Sequence, residues 1–157
     1  MSHAPISGYC EHALALQSVF THVVSQTLDD AHEHDLHLRH VNTRLRVIAD
    51  ESMLSRALGC LLSHAVEVTP SGGVLLGCRA RGGHVVIEVW DSRPGIPQAQ
   101  RADLFTPGTA YGQNLTDRGL GLVLAHRLSS AMAGQLSVYC SAAGGCVMRL
   151  VLPQAPK

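Results

Sequence analysis

The strongest constraint on this chain is a helix pattern that runs directly into a strand pair. Met53, Leu54, Ala57, Leu58, Leu61, Leu62, Ala65 and Val66 recur at helical spacing and form one apolar stripe. Asp50 stands in front of them as a good N-cap, and Thr69-Pro70-Ser71-Gly72-Gly73 ends them. Two β-rich runs follow, Val74–Ala80 and His84–Trp90, joined by Arg81-Gly82-Gly83. A Gly-Gly pair between such runs signals a hairpin. A helix with one wide apolar face beside a hairpin has to lay that face on the sheet.

The same alternation extends in both directions. Leu16, Val19, Phe20, Val23, Thr27, Leu28 and Ala31 predict a first helix over about Glu11 to Ala31. Leu36, Leu38 and His40 alternate with His37 and Arg39, which reads as a strand, and Leu45-Arg46-Val47-Ile48 reads as another. Asp91 to Thr116 is irregular and rich in Gly, Pro and polar residues, and helical spacing returns over Gly119–Ala133. Leu136–Cys140 and Cys146–Leu152 predict a closing hairpin around Ala142-Ala143-Gly144-Gly145. The expected fold is therefore α+β: a two-layer sandwich in which three helices cover one face of a mixed, mostly antiparallel sheet of about five strands. The expected boundaries are a leader over 1–10, one domain over 11–153 and a tail over 154–157.

With 157 residues, 46% of them hydrophobic and 15% charged, the chain can bury a full core. Twelve basic residues balance twelve acidic ones, which offers no electrostatic case for nucleic acid or for an anionic membrane. No apolar run approaches the ~18 residues of a spanning helix, so direct membrane insertion is not expected. Met1-Ser2-His3-Ala4-Pro5 is not a secretory signal. Five Cys without a C-x-x-C pair argue against structural zinc and against a disulfide framework, and fit a reducing cytoplasm. Lys157 is the only lysine, so none lies inside the domain to serve catalysis. His32, His34, His37 and His40 read as solvated surface rather than a metal site.

Four short motifs occur in order. Leu61-Leu62-Ser63-His64-Ala65-Val66-Glu67-Val68-Thr69-Pro70 is followed by Asp91-Ser92-Arg93-Pro94-Gly95-Ile96-Pro97, then Leu104-Phe105-Thr106-Pro107, then Gly119-Leu120-Gly121-Leu122. The chain resembles the catalytic and ATP-binding domain of bacterial sensor histidine kinases. That domain is of the Bergerat type, in the superfamily that includes Hsp90, type II topoisomerases and MutL. The four segments resemble its N box, first glycine box, F box and second glycine box, and the resemblance covers about Leu16 to Pro153.

The resemblance implies an ATP or ADP site with Mg²⁺. Asp91 would accept from the adenine amino group, although Asp-Ser-Arg-Pro is also good turn chemistry for a capping Asp. Gly95, Ile96 and Phe105 would line the site, and Phe105 to Arg118 would be a nucleotide lid. Backbone amides at Gly119, Leu120, Gly121 and Leu122 would face phosphate at a helix N-terminus. Cys60, His64 and Glu67 share one stripe of the N-box helix. The family places Asn at both Cys60 and His64, and the second Asn binds Mg²⁺.

Imidazole nitrogen suits Mg²⁺ poorly, so the implied metal position at His64 is compromised. Arg93 replaces the middle glycine of its box, and its side chain either crowds the adenine pocket or swings out to a phosphate. Gly108 replaces the aromatic that ends the F box. Asp117 and Arg118 precede the second glycine box, where the Asp repels phosphate and Arg118 compensates in part. Cys146 stands where the family has an adenine-contacting Thr.

The implied function is the ATP-binding catalytic domain of a two-component kinase with a weakened phosphoryl-donor site. Its partners would be a dimerisation and phosphoacceptor domain and a response regulator. No residue is singled out as catalytic with force; Glu67 is the candidate. The rival expectations are a non-catalytic pseudo-kinase module and a stand-alone kinase of the anti-sigma-factor kind. No phosphoacceptor His motif is evident, so autophosphorylation by this chain alone is not expected.

Overall fold

The computed structural model describes residues 11–94, 116–141 and 143–156, with the backbone alone for 116–120. Helix α1 spans Leu16–Glu33 and α2 spans Glu51–Val68. Helix α3 spans Thr116–Ala131. The strands are β1 His12–Ala15, β2 His37–His40, β3 Arg46–Ala49, β4 Gly73–Arg81, β5 His84–Asp91, β6 Gln135–Cys140 and β7 Cys146–Pro153. Five of them form the main sheet in the order β2-β4-β5-β7-β6, parallel at β2–β4 and antiparallel elsewhere. This is the expected α+β sandwich.

The helices form where the apolar stripes predict. Leu16, Val19, Phe20, Val23 and Ala31 of α1 are buried, as are Leu54, Ala57, Leu58, Leu61, Leu62, Ala65 and Val66 of α2. Asp50 caps α2 as its sequence position requires: its Oδ1 accepts from the Met53 N–H at 2.9 Å. Gly82 and Gly83 both adopt positive φ, 56° and 80°, which is the backbone a two-residue hairpin turn needs.

Three expectations need correction. The first helix starts at Leu16, not near Glu11, because His12–Ala15 is a strand paired antiparallel with β3. Its only buried residue, Leu14, lies opposite Val47, and the Leu16 N–H donates to the Leu45 carbonyl where strand turns into helix. The third helix spans Thr116–Ala131 instead of Gly119–Ala133, so the glycine pair lies one turn inside it and does not open it. Cys140 and Cys146 are disulfide-bonded, where the cysteine count and spacing argued against disulfides. They face each other directly across β6 and β7 with Cα atoms 4.1 Å apart, a juxtaposition that antiparallel pairing creates.

Past Pro153 the chain stays tied down. Gln154 N–H donates to the Gly83 carbonyl, and Ala155, which is buried, donates to Arg46.

Candidate functional site

Strand β5 delivers Asp91 to the edge of the helix layer. Its residues alternate toward α2 through Ile87 and Val89, both buried, so Asp91 points the same way. The N-box stripe of α2 reaches this cluster with His64. Three polar side chains meet there. Asp91, Arg93 and His64 are 6%, 2% and 1% exposed.

Arg93 joins the other two. Its Nε lies 3.0 Å from both Asp91 oxygens, and its Nη2 lies 2.8 Å from Oδ2. The Arg93 backbone N–H also donates to Oδ1 at 3.1 Å. On the other side, Nη1 lies 3.1 Å from Nε2 of His64. A guanidinium has donors and no acceptor, so Nε2 of His64 is the acceptor. The ring is neutral: burial first, and then the Arg93 charge, lower its pKa to about 3. The imidazole proton therefore sits on Nδ1.

Backbone bonds hold this cluster in place. The Gly145 N–H donates to the Arg93 carbonyl at 2.8 Å, tying the β6–β7 turn to the segment after β5. Cys146 lies opposite Asp91 in the β5–β7 register. Ser92 points away from the cluster, and its hydroxyl donates to the Ser71 carbonyl at 2.7 Å.

Helix α3 closes on α2 at Gly121. A Cβ built there would lie 3.7 Å from the Cys60 Cβ and 3.9 Å from its Sγ, so the small residue lets the two helices approach closely. Leu122 is buried beside it in the core. A cavity of about 970 Å³ opens along α2, with Asp50, Arg56, Cys60, Ser63, His64 and Gly121 among its walls. Asp91 and Arg93 do not line it.

Of the residues expected at the site, the structure joins Asp91, Arg93 and His64 in one cluster and places Cys60, His64 and Gly121 along the wall of the cavity. Glu67 is half-buried on α2, one turn beyond His64. Gly95, Ile96 and Phe105 lie outside the described residues, as do Gly108 and nearly all of the expected lid. Asp117, Arg118, Gly119 and Leu120 lie on the backbone of α3. The contact that sequence reading left open is Arg93 on His64, and its signal was the missing glycine of the first glycine box.

Mg²⁺ does not fit the residues at the family's metal position. The Nε2 of His64 is engaged by Arg93, whose positive charge opposes a cation beside it. Burial raises the Cys60 thiol, with Arg56 partly offsetting it, so that group stays protonated and is no ligand for a hard cation. Among the described residues no group of three His, Cys, Asp or Glu side chains could hold a metal ion.

Comparison with known proteins bears on the family and the fold. Residues 49–156 match the family described as histidine kinase-, DNA gyrase B- and HSP90-like ATPases. The chain is similar to the sensor protein KdpD of Rathayibacter rathayi, 37% identical over 111 residues, covering 69% of this chain and 13% of the relative. It is also similar to the sensor histidine kinase RcsC of Escherichia coli K12, 37% identical over 93 residues, covering 57% and 10%. The chain thus spans only 10% to 13% of the length of these two relatives. Among solved structures, full-length ShkA in complex with AMPPNP superposes with a TM-score of 0.81 at 29% identity, over 94% of this chain and 32% of that one. Mycobacterial MprB superposes at 0.79 with 23% identity, over 94% of this chain and 100% of that one, which bears on the fold alone. No helix among the described residues is long and apolar enough to cross a membrane. With the motifs in order, the sandwich around them and these relatives, the chain belongs to the histidine kinase-, DNA gyrase B- and HSP90-like ATPase family, and its likeness is to the ATP-binding catalytic domain of sensor histidine kinases.

Proposed function

We propose that this chain is the nucleotide-binding catalytic domain of a sensor histidine kinase with a weakened phosphoryl-donor site. The observation that carries the reading is the placement of Asp91. A buried carboxylate at the end of β5 is joined through Arg93 to His64 of α2, and Gly121 of α3 packs on Cys60 one turn before His64. A carboxylate there can accept from an adenine amino group. The opening turn of α3 offers N–H groups without intrahelical partners to phosphates. The partners would be a dimerisation domain bearing the phosphoacceptor His and, after it, a response regulator. Relatives named as a sensor protein and as a sensor histidine kinase support this.

Phosphoryl transfer needs charge neutralised on the phosphates, a task the family gives to Mg²⁺. His64 and Cys60 do not suit that ion, and this is why the donor site is weakened. Calorimetric titration with ADP and a non-hydrolysable ATP analogue, with and without Mg²⁺, tests the reading. Weak binding that Mg²⁺ does not strengthen is the expected result. No binding at high ligand concentration would overturn it. His64→Asn, which restores the oxygen ligand, should make binding Mg²⁺-dependent.

One observation favours a second reading, a non-catalytic interaction module of the same fold. The carboxylate on which base recognition depends is already engaged by Arg93. Absence of nucleotide binding in both the native chain and His64→Asn is the outcome this reading expects.

A further inference from the structure

The structure assigns to Arg93 the role of specificity gate: its guanidinium stands on Asp91 in place of a purine amine, and the pocket discriminates adenine only once Arg93 leaves. This inference rests on the reading of Asp91 as the base acceptor.

Three observations carry it. The first is occupancy. The Arg93 backbone N–H donates to Oδ1 at 3.1 Å, its one Nε–H is shared between Oδ1 and Oδ2 at 3.0 Å each, and Nη2 makes an ion-pair contact with Oδ2 at 2.8 Å. Both carboxylate oxygens are therefore engaged where a ligand amine would have to bind. The second is enclosure. The side chains of Asp91 and Arg93 are 0% and 3% exposed; the large cavity along α2 stops at His64 without reaching either, and a smaller one of about 180 Å³ touches Asp91 from the side of Trp90 and Ser92, not from α2. A base cannot touch Asp91 with Arg93 where it is. The third is the far end of the guanidinium. Nη1 donates to a neutral His64 on α2, so Arg93 spans the gap between strand and helix that a planar ring would enter.

Arg93 and a purine amine are thus competitors for one acceptor. The guanidinium is the stronger of the two: it is charged, and its Nε–H reaches both carboxylate oxygens. It is also tethered two residues away, so its local concentration exceeds that of any free ligand. A nucleotide meeting the native chain can use its phosphates at the start of α3, but not its base at Asp91. Affinity should then be low and blind to the exocyclic group of the purine.

The experiment compares ADP with inosine diphosphate, which carries a carbonyl in place of the amino group. Titrations use the native chain, Arg93→Gly and Arg93→Ser, with thermal melting to verify that each variant is folded. The native chain should bind the two nucleotides equally. In the variants ADP affinity should rise by roughly 100-fold, the lower end of what displacing a buried ion pair costs. The variants should also prefer ADP to inosine diphosphate by ~10-fold or more.

A native chain that already prefers ADP overturns the gate while leaving nucleotide binding intact, and this arm needs no variant to fold. Folded variants that bind no tighter than the native chain also overturn it. If neither the native chain nor the folded variants bind any nucleotide, the gate falls together with the proposed function.

Discussion

The guanidinium of Arg93 and the carboxylate of Asp91 form a buried ion pair, with Nη2 and Oδ2 2.8 Å apart. They stand two residues apart in sequence, yet neither is held by the other alone. Asp91 is carried by β5, between β4 and β7, and Arg93 is held by Gly145 and His64. Removing one partner leaves the other charge buried without its complement. Asp91→Ala should therefore lower unfolding free energy by about 3–5 kcal/mol, measured by urea denaturation. The double change Asp91→Leu with Arg93→Leu should cost far less than the single one, since two apolar groups leave no buried charge. Equal losses would mean that the pair does not act as a unit.

His64 links this cluster to pH. Its imidazole stays neutral in the folded chain because burial, and secondarily Arg93, depress its pKa to about 3. In the unfolded chain the same group protonates near pH 6.5. The unfolded state therefore binds a proton that the folded state refuses. The His64 contribution to stability is full above about pH 6.5 and is lost progressively as pH falls toward 3, at up to ~1.4 kcal/mol per pH unit. Melting curves across that range should show His64→Gln with a shallower acid slope than the native chain. Parallel slopes would contradict the assignment.

The Cys140–Cys146 disulfide closes the last hairpin with a sequence separation of 6. A loop that short removes little unfolded-state entropy, so the bond should contribute roughly 2 kcal/mol. Reduction, or paired Cys→Ser substitution, should lower the melting temperature accordingly. Cys146 also lies opposite Asp91, and the adjoining Gly145 bonds Arg93, so the same reduction should raise hydrogen exchange at the Gly145 amide. Unchanged exchange there would show that the disulfide and the cluster are independent.

Two residues past the end of helix α3, Ala133 has φ 57°, a left-handed conformation that a Cβ disfavours. The Gly134 N–H closes the end on the Ser129 carbonyl at 2.8 Å. Ala133→Gly should stabilise the fold by about 1 kcal/mol. Gly134→Ala should do the opposite, because its Cβ would come within 2.8 Å of Leu152 Cδ2 and 2.9 Å of the Val151 carbonyl oxygen. A loss of about 1–3 kcal/mol is expected from such overpacking. Chemical denaturation of the two single variants separates the effects.

Much of this molecule was determined by sequence alone, because the forces involved are local or periodic. The stripes of α1 and α2, the Asp50 cap, the Gly82-Gly83 turn and the final hairpin all follow from side-chain spacing and backbone preference. The ordered motifs from Leu61 to Leu122 carried the family as well.

Tertiary structure decided the rest. His12–Ala15 is too short and too bland to read as a strand, and it becomes one only by pairing with Arg46–Ala49. Cys140 and Cys146 lack any motif spacing, and antiparallel register alone sets them face to face. The direction of Arg93 was open between the base pocket and the phosphates. It points inward because folding brings His64, 29 residues away in sequence, within 3.1 Å of its guanidinium. Burial there makes an Asp91 paired with Arg93 cheaper than an unpaired one. That choice depends on contacts between distant residues, so no local pattern could display it.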